Sequence, residues 1–117
     1  MNGDTPQPAA RPDQHSALFH ALSDPTRRAL FESLCRGGEC NVAALTRGAG
    51  VSQPVVSRHL GVLARAGLVD ETRVGRETRL RARPEALAPL AHWTVQMRAF
   101  WEARVDALEH LLRRMDQ

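Results

Sequence analysis

The sequence contains no lysine and no tyrosine. Aromatic residues make up only 4% of it, so a core must be filled mainly by Leu, Val and Ala. Two cysteines, Cys35 and Cys40, are too few for a disulfide framework. No apolar run approaches the roughly 20 residues that span a bilayer. The first residues lack the charged-then-apolar order of a secretory signal. A Gly-rich phosphate loop, paired catalytic carboxylates and a nucleophile–base–orienter set are all missing, which argues against an enzyme. Together these absences predict a non-enzymatic cytoplasmic protein with reduced thiols, no membrane association and no cofactor.

What is present fits one globular domain: 117 residues, 43% apolar and 25% charged, with a net charge of +3. All 16 basic residues are Arg. A GC-rich coding composition accounts for the missing Lys, but not for where the Arg residues sit. Eight fall between Arg47 and Arg83, against three acids, Asp70, Glu71 and Glu77. Such a cluster is the electrostatic footprint of a nucleic-acid binder. Its competing explanation is a charged strand edge that resists aggregation.

Residues 1–14, with Pro6, Pro8 and Pro12, read as a disordered tail, leaving 15–117 as the domain. A first helix is predicted over Ser16–Leu22. Asp24 then caps a second, with Pro25 in its first turn, that ends at Gly37-Gly38. Asn41 caps a short third helix over Val42–Gly48, and Ser52 a fourth over Gln53–Ala66 that Gly67 closes. Helix, short Gly-containing turn, helix is the helix-turn-helix outline. Leu68–Val74 and Glu77–Ala82 form a hairpin through Gly75-Arg76. Pro84 opens a last helix reaching Met115. The expected fold is mostly α with a small β-hairpin, in the order α-α-α-α-β-β-α.

The fourth helix is the most informative segment. Val56, Leu60 and Leu63 share one face and can anchor in a core. The opposite face carries Pro54, Ser57, Arg58, Gly61 and Arg65, with Gln53 at the N-terminal end. No acid occurs from Val51 to Val69. Small, polar and basic side chains of this kind can enter a major groove and meet phosphates or base edges. In the hairpin, Arg79, Arg81 and Arg83 alternate onto one face, with Arg73 on the first strand and Arg76 at the tip.

The last helix keeps a three–four apolar rhythm through Leu87, Leu90, Met97, Trp101, Leu108, Leu111 and Met115. A seam of this length predicts helix–helix association. Dimerisation is expected through Leu90, Met97, Trp101, Leu108 and Leu111, joined by Leu18 and Leu22 of the first helix. The same seam could instead hold a different protein, making the chain a dimeric interaction module. Trp93, Phe100 and Trp101 could also line a small-molecule cavity.

Three stretches bear a family resemblance. They are Ala21-Leu22-Ser23-Asp24-Pro25-Thr26-Arg27-Arg28, Val51-Ser52-Gln53-Pro54-Val55-Val56-Ser57-Arg58-His59-Leu60 and Leu63-Ala64-Arg65-Ala66-Gly67-Leu68-Val69. Together they resemble the ArsR family of winged-helix repressors. Residues 98–108 are similar to the branch that includes the sporulation-delay repressor, whose members generally lack metal sites. The resemblance implies a homodimer that binds a palindromic operator in double-stranded DNA and represses transcription. Its recognition segment matches Gln53, Ser57, Arg58 and His59, and its wing matches Arg76 and Arg79. The expected DNA-binding set is therefore Ser52, Gln53, Pro54, Ser57, Arg58, His59, Arg65, Arg73, Arg76 and Arg79.

Many members of the family sense metals. Only Cys40 lies near the arsenic-type position, and His92 has no Asp two residues before it, so no metal site is expected. Asp106 and His110 alone do not make one. Cys35 and Cys40 flank the Gly37-Gly38 turn and could form a thiol switch if one thiolate were activated. The identity of any small-molecule or metal inducer stays open.

Overall fold

A computed structural model describes residues 12–116. The elements are α1 (Pro12–Ser23), α2 (Pro25–Gly37), β1 (Cys40–Asn41), α3 (Val42–Arg47), α4 (Gln53–Arg65), β2 (Val69–Val74), β3 (Glu77–Ala82), a 3-10 turn (Pro84–Leu87) and α5 (Ala88–Met115). The expected architecture holds, with corrections at several boundaries.

Helix α1 begins at Pro12 rather than Ser16. Pro12 fits a first helical turn and Asp13 complements the positive helix end, so residues 12–14 are helical and not tail. The remainder of the expected tail, residues 1–11, lies outside the described residues. Asp24 caps α2 as expected, its Oδ1 accepting from the Arg27 N–H at 2.9 Å. Asn41 likewise caps α3, accepting from the Ala44 N–H at 2.8 Å. Ser52 occupies the cap position of α4 but makes no side-chain capping bond. Its carbonyl accepts the Val56 N–H at 3.0 Å. Pro84 opens a 3-10 turn, and the α-helix proper follows from Ala88.

The sheet has three antiparallel strands in the order β1-β3-β2. Strand β1 is too short to leave a period-two signal; it pairs Cys40 with Leu80 and Asn41 with Arg79. The β2–β3 hairpin runs from Val69↔Ala82 to Val74↔Glu77, leaving Gly75-Arg76 as a two-residue loop. Gly75 has φ +64°, whereas among the described residues none other than glycine has positive φ, so Arg76 does not. A left-handed glycine followed by an ordinary residue is the pattern of a type II′ turn, which suits the twist of a tight hairpin.

One core joins all these elements. Leu18 and Ala21 of α1 meet Leu30, Phe31 and Leu34 of α2, Leu45 of α3, Val56, Leu60 and Leu63 of α4, and Leu68, Val69 and Leu80 around the sheet. Val56 and Leu63 are fully buried, which fixes α4 by its inner face. Leu18 is 1% exposed and belongs to this core, so it cannot form the dimer seam expected of it. Leu22 and Leu90 are half-buried against the same core and have little surface left to offer. Helix α5 differs. At 28 residues it is about 42 Å long, and Pro89 is its only buried residue.

Candidate nucleic-acid interface

Three buried side chains on one side of α4 force the other side outward. Ser52, Gln53, Pro54, Ser57, Arg58 and Arg65 are all exposed. Gln53 and Ser57 face a cleft of about 320 Å³. Asn41, Val42 and Ala43 at the start of α3, and Arg76, Glu77 and Thr78 of the hairpin, line its other walls. The fold thereby gathers the N-terminal half of α4 and the hairpin tip around one open space. Ser52 makes no side-chain cap, so the Gln53 and Val55 N–H groups at the start of α4 have no partner in that side chain, and Pro54 between them has no N–H. Arg65 sits at the other end of the helix, beside Ala17 and His20 of α1, away from the cleft.

The arginines divide into two sets. Among the described residues, no carboxylate lies within 4 Å of Arg58, Arg65, Arg73 or Arg76. Arg79, expected to touch DNA from the wing, is held instead by Glu39 at 3.3 Å and Glu77 at 3.5 Å. The hydrogen bond and charge of Glu39, reinforced by Glu77, push its guanidinium pKa further up. Arg81 pairs with Asp70 at 3.2 Å, and Arg83 with Asp70 and Glu85. The charge of the second strand is thus largely neutralised within the protein. The hairpin's unpaired cations are Arg73 and the tip residue Arg76.

His59, which the resemblance places in the recognition segment, lies at the core edge of α4. Its side chain is 14% exposed. Its Nδ1 lies 3.2 Å from the Arg27 Nη1, and its Nε2 3.9 Å from Asp24 Oδ1. It turns inward, toward the start of α2, rather than outward with Arg58.

Arg27 itself gave no functional signal in the sequence, yet it is a buried charged residue, 8% exposed. Its Nε donates to the Ala21 carbonyl at 2.6 Å and its Nη2 to the His20 carbonyl at 3.0 Å. Arg28 Nη1 donates to the Leu22 carbonyl at 2.7 Å. The two arginines satisfy carbonyls in the last turn of α1, one of which, that of His20, also accepts from the Ser23 hydroxyl at 2.7 Å. The available clue was their position. Cations in the first turn of a helix oppose its dipole, and this pair is tolerated because the negative end of α1 lies beside it.

Both cysteines are free thiols. Burial raises the Cys35 thiol, with Glu32 adding to the shift and Arg36 opposing it. Burial also raises Cys40 against the opposing charge of Arg79. Both shifts run away from the thiolate that a switch would use. Among the described residues, no group of three or more His, Cys, Asp or Glu could hold a metal ion. No helix there is long and apolar enough to cross a membrane.

A helix-turn-helix domain family matches residues 22–72. The chain is 35% identical over 94 residues to the HTH-type transcriptional regulator Rv2034 of Mycobacterium tuberculosis, covering 80% of this chain and 84% of that protein. It is 42% identical over 72 residues to a probable mercury resistance operon repressor of Streptomyces lividans, covering 62% of this chain and 57% of that one. The chain spans between 53% and 63% of the length of that relative and two others like it. Among solved structures it is similar to an ArsR-like transcriptional regulator from Rhodococcus sp. RHA1. The TM-score is 0.73 and the identity 31%, covering 85% of this chain and 92% of that one. It is also similar to a homodimeric winged helix-turn-helix DNA-binding domain from Mycobacterium bovis. Here the TM-score is 0.63 and the identity 30%, covering 85% and 90%. By sequence and by fold, the chain belongs to the ArsR family of winged helix-turn-helix regulators.

Proposed function

We propose that the protein is a homodimeric, sequence-specific DNA-binding repressor that acts in the cytoplasm on a palindromic operator. The observation that carries this reading is the outward face of α4. Gln53, Ser57 and Arg58 stand exposed near a helix start without a side-chain cap, and Gln53 and Ser57 lie across a cleft from Arg76. In that geometry Gln53, Ser57 and Arg58 read base edges in the major groove, while Arg73 and Arg76 meet the sugar–phosphate backbone. Ser52 and Pro54 sit at the entrance of the helix, and Arg65 offers charge at its far end.

The dimer half of the proposal rests on α5. Trp101 is 66% exposed, Leu108 55% and Leu111 49%, with Met97 and Phe100 beside them. An apolar strip of this kind is unfavourable in water and calls for a partner. The homodimeric relative supports a second copy of the chain in that place. Two copies related by a two-fold axis present two α4 helices to half-sites about one helical turn apart.

The reading is tested by fluorescence-anisotropy titration of the full chain against DNA from upstream of its own gene and against a scrambled duplex. Affinity for the upstream duplex should be higher and should fall steeply as salt rises. Equal, salt-insensitive binding to both duplexes would instead favour an interaction module built on α5.

A further inference from the structure

We propose that Arg27, acting through His59, is a positioning residue that sets the angle of the recognition helix against the dimerising body of the protein. The inference rests on the reading of α4 and α5 given above. One guanidinium joins three helices. Arg27 belongs to α2, two of its nitrogens hold the His20 and Ala21 carbonyls of α1, and its third meets His59 of α4.

The chemistry of the contact is determined by arginine, which donates but has no acceptor. His59 Nδ1 therefore accepts, its proton resides on Nε2, and that edge faces Asp24 at 3.9 Å. The ring is hydrogen-bonded to the Arg27 guanidinium on one side, and on the other the carboxylate that caps α2 lies beyond hydrogen-bond distance. A planar donor fork with its stem buried is a rigid link.

The other end of the link reaches the dimer seam. Phe19, adjacent to His20, stacks edge-on against Trp93 of α5 at 5.2 Å between ring centroids. A continuous set of contacts thus runs from α5 through Phe19 and the end of α1 to Arg27, His59 and α4. Apolar packing under Val56, Leu60 and Leu63 resists lifting of α4, but leaves sliding and rotation about its axis less constrained. A directional hydrogen bond at His59, one residue beyond Arg58, opposes both. In a dimer, the separation and tilt of the two α4 helices must match the duplex, so a loose α4 loses operator affinity while keeping its phosphate attraction. Arg27 is buried and does not itself touch DNA.

The test uses the full chain carrying Arg27→Met, His59→Leu, His59→Asn and the Arg27→Met/His59→Leu double substitution. Each is titrated on the upstream and scrambled duplexes, with dimerisation followed by sedimentation. His59→Leu removes the acceptor, whereas His59→Asn puts an amide oxygen near the place of Nδ1. His59→Leu and Arg27→Met should each lower the upstream-to-scrambled affinity ratio by about tenfold, with dimer and scrambled-duplex binding retained, and the double should be no worse than either. His59→Asn should restore the ratio to within about threefold of the unaltered protein. An unchanged ratio in His59→Leu, or losses that multiply in the double, would overturn the positioning role. If Arg27→Met fails to give a dimer, the contrast between His59→Leu and His59→Asn decides alone. An unaltered protein that prefers neither duplex would overturn the reading of α4 itself, a result distinct from a positioning failure.

Discussion

Asn41 links the start of α3 to the base of the wing: its Oδ1 accepts the Ala44 N–H at 2.8 Å while its Nδ2 donates to Glu77 Oε2 at 3.3 Å. One amide thus caps a helix and ties the hairpin to it. Asn41→Asp keeps a capping oxygen but sets a carboxylate against Glu77. It should leave thermal stability nearly unchanged while loosening the wing. Asn41→Ala removes the cap and should cost about 1 kcal/mol. Urea unfolding of the two variants checks the contrast, which fails if Asn41→Asp is the more destabilised.

Asp24 gives the stability a defined pH dependence. The hydrogen bond from the Arg27 N–H holds its carboxyl below its ordinary value despite some desolvation. A depressed folded-state pKa contributes stability that is present above the unfolded value and is lost as pH falls through the folded one. Asn at this position still caps but carries no charge. Urea midpoints of the unaltered protein and of Asp24→Asn should therefore differ most above about pH 5 and converge only as pH falls past the ordinary carboxylate value and through the lower folded one. A difference independent of pH would contradict the assignment.

Leu63 is fully buried beneath α4, and its removal opens a cavity under the recognition helix. Leu63→Ala should destabilise the fold by roughly 2–5 kcal/mol. Denaturant unfolding measures this directly, and a loss well below that range would mean that the core collapses around the site.

The exposed strip of α5 predicts the effect of charge at the seam. Trp101→Glu or Leu108→Glu should convert the dimer to monomer in sedimentation velocity, with the fold retained by circular dichroism. Each should also weaken operator binding, because two half-sites are no longer engaged together. A charged variant that stays dimeric would place the interface elsewhere.

Much of this organisation is legible in the sequence, because its strongest signals are local. Asp24-Pro25 and Asn41 mark helix starts, the Val56–Leu60–Leu63 spacing marks an inner face, and Gly75-Arg76 marks the hairpin loop. What was not legible depends on contacts between distant segments. Leu18 and Leu108 both read as seam residues, and only packing assigns the first to the core. Arg79 reads as a free wing cation until Glu39, forty positions earlier, is brought beside it by β1. His59 shares the recognition segment with Arg58 but turns the other way, toward a guanidinium 32 positions earlier. Charge counted along the chain does not reveal which cations are already paired.

The central claim is that α4 carries sequence discrimination while the wing carries general attraction. Anisotropy titrations of Arg58→Ala and Arg76→Ala on upstream and scrambled duplexes, across a range of salt, test it most directly. Arg58→Ala should lose roughly 1–3 kcal/mol of discrimination. Arg76→Ala should weaken both duplexes alike and lower the salt slope by about one. Equal losses for both variants on both duplexes, with discrimination intact, would contradict the account.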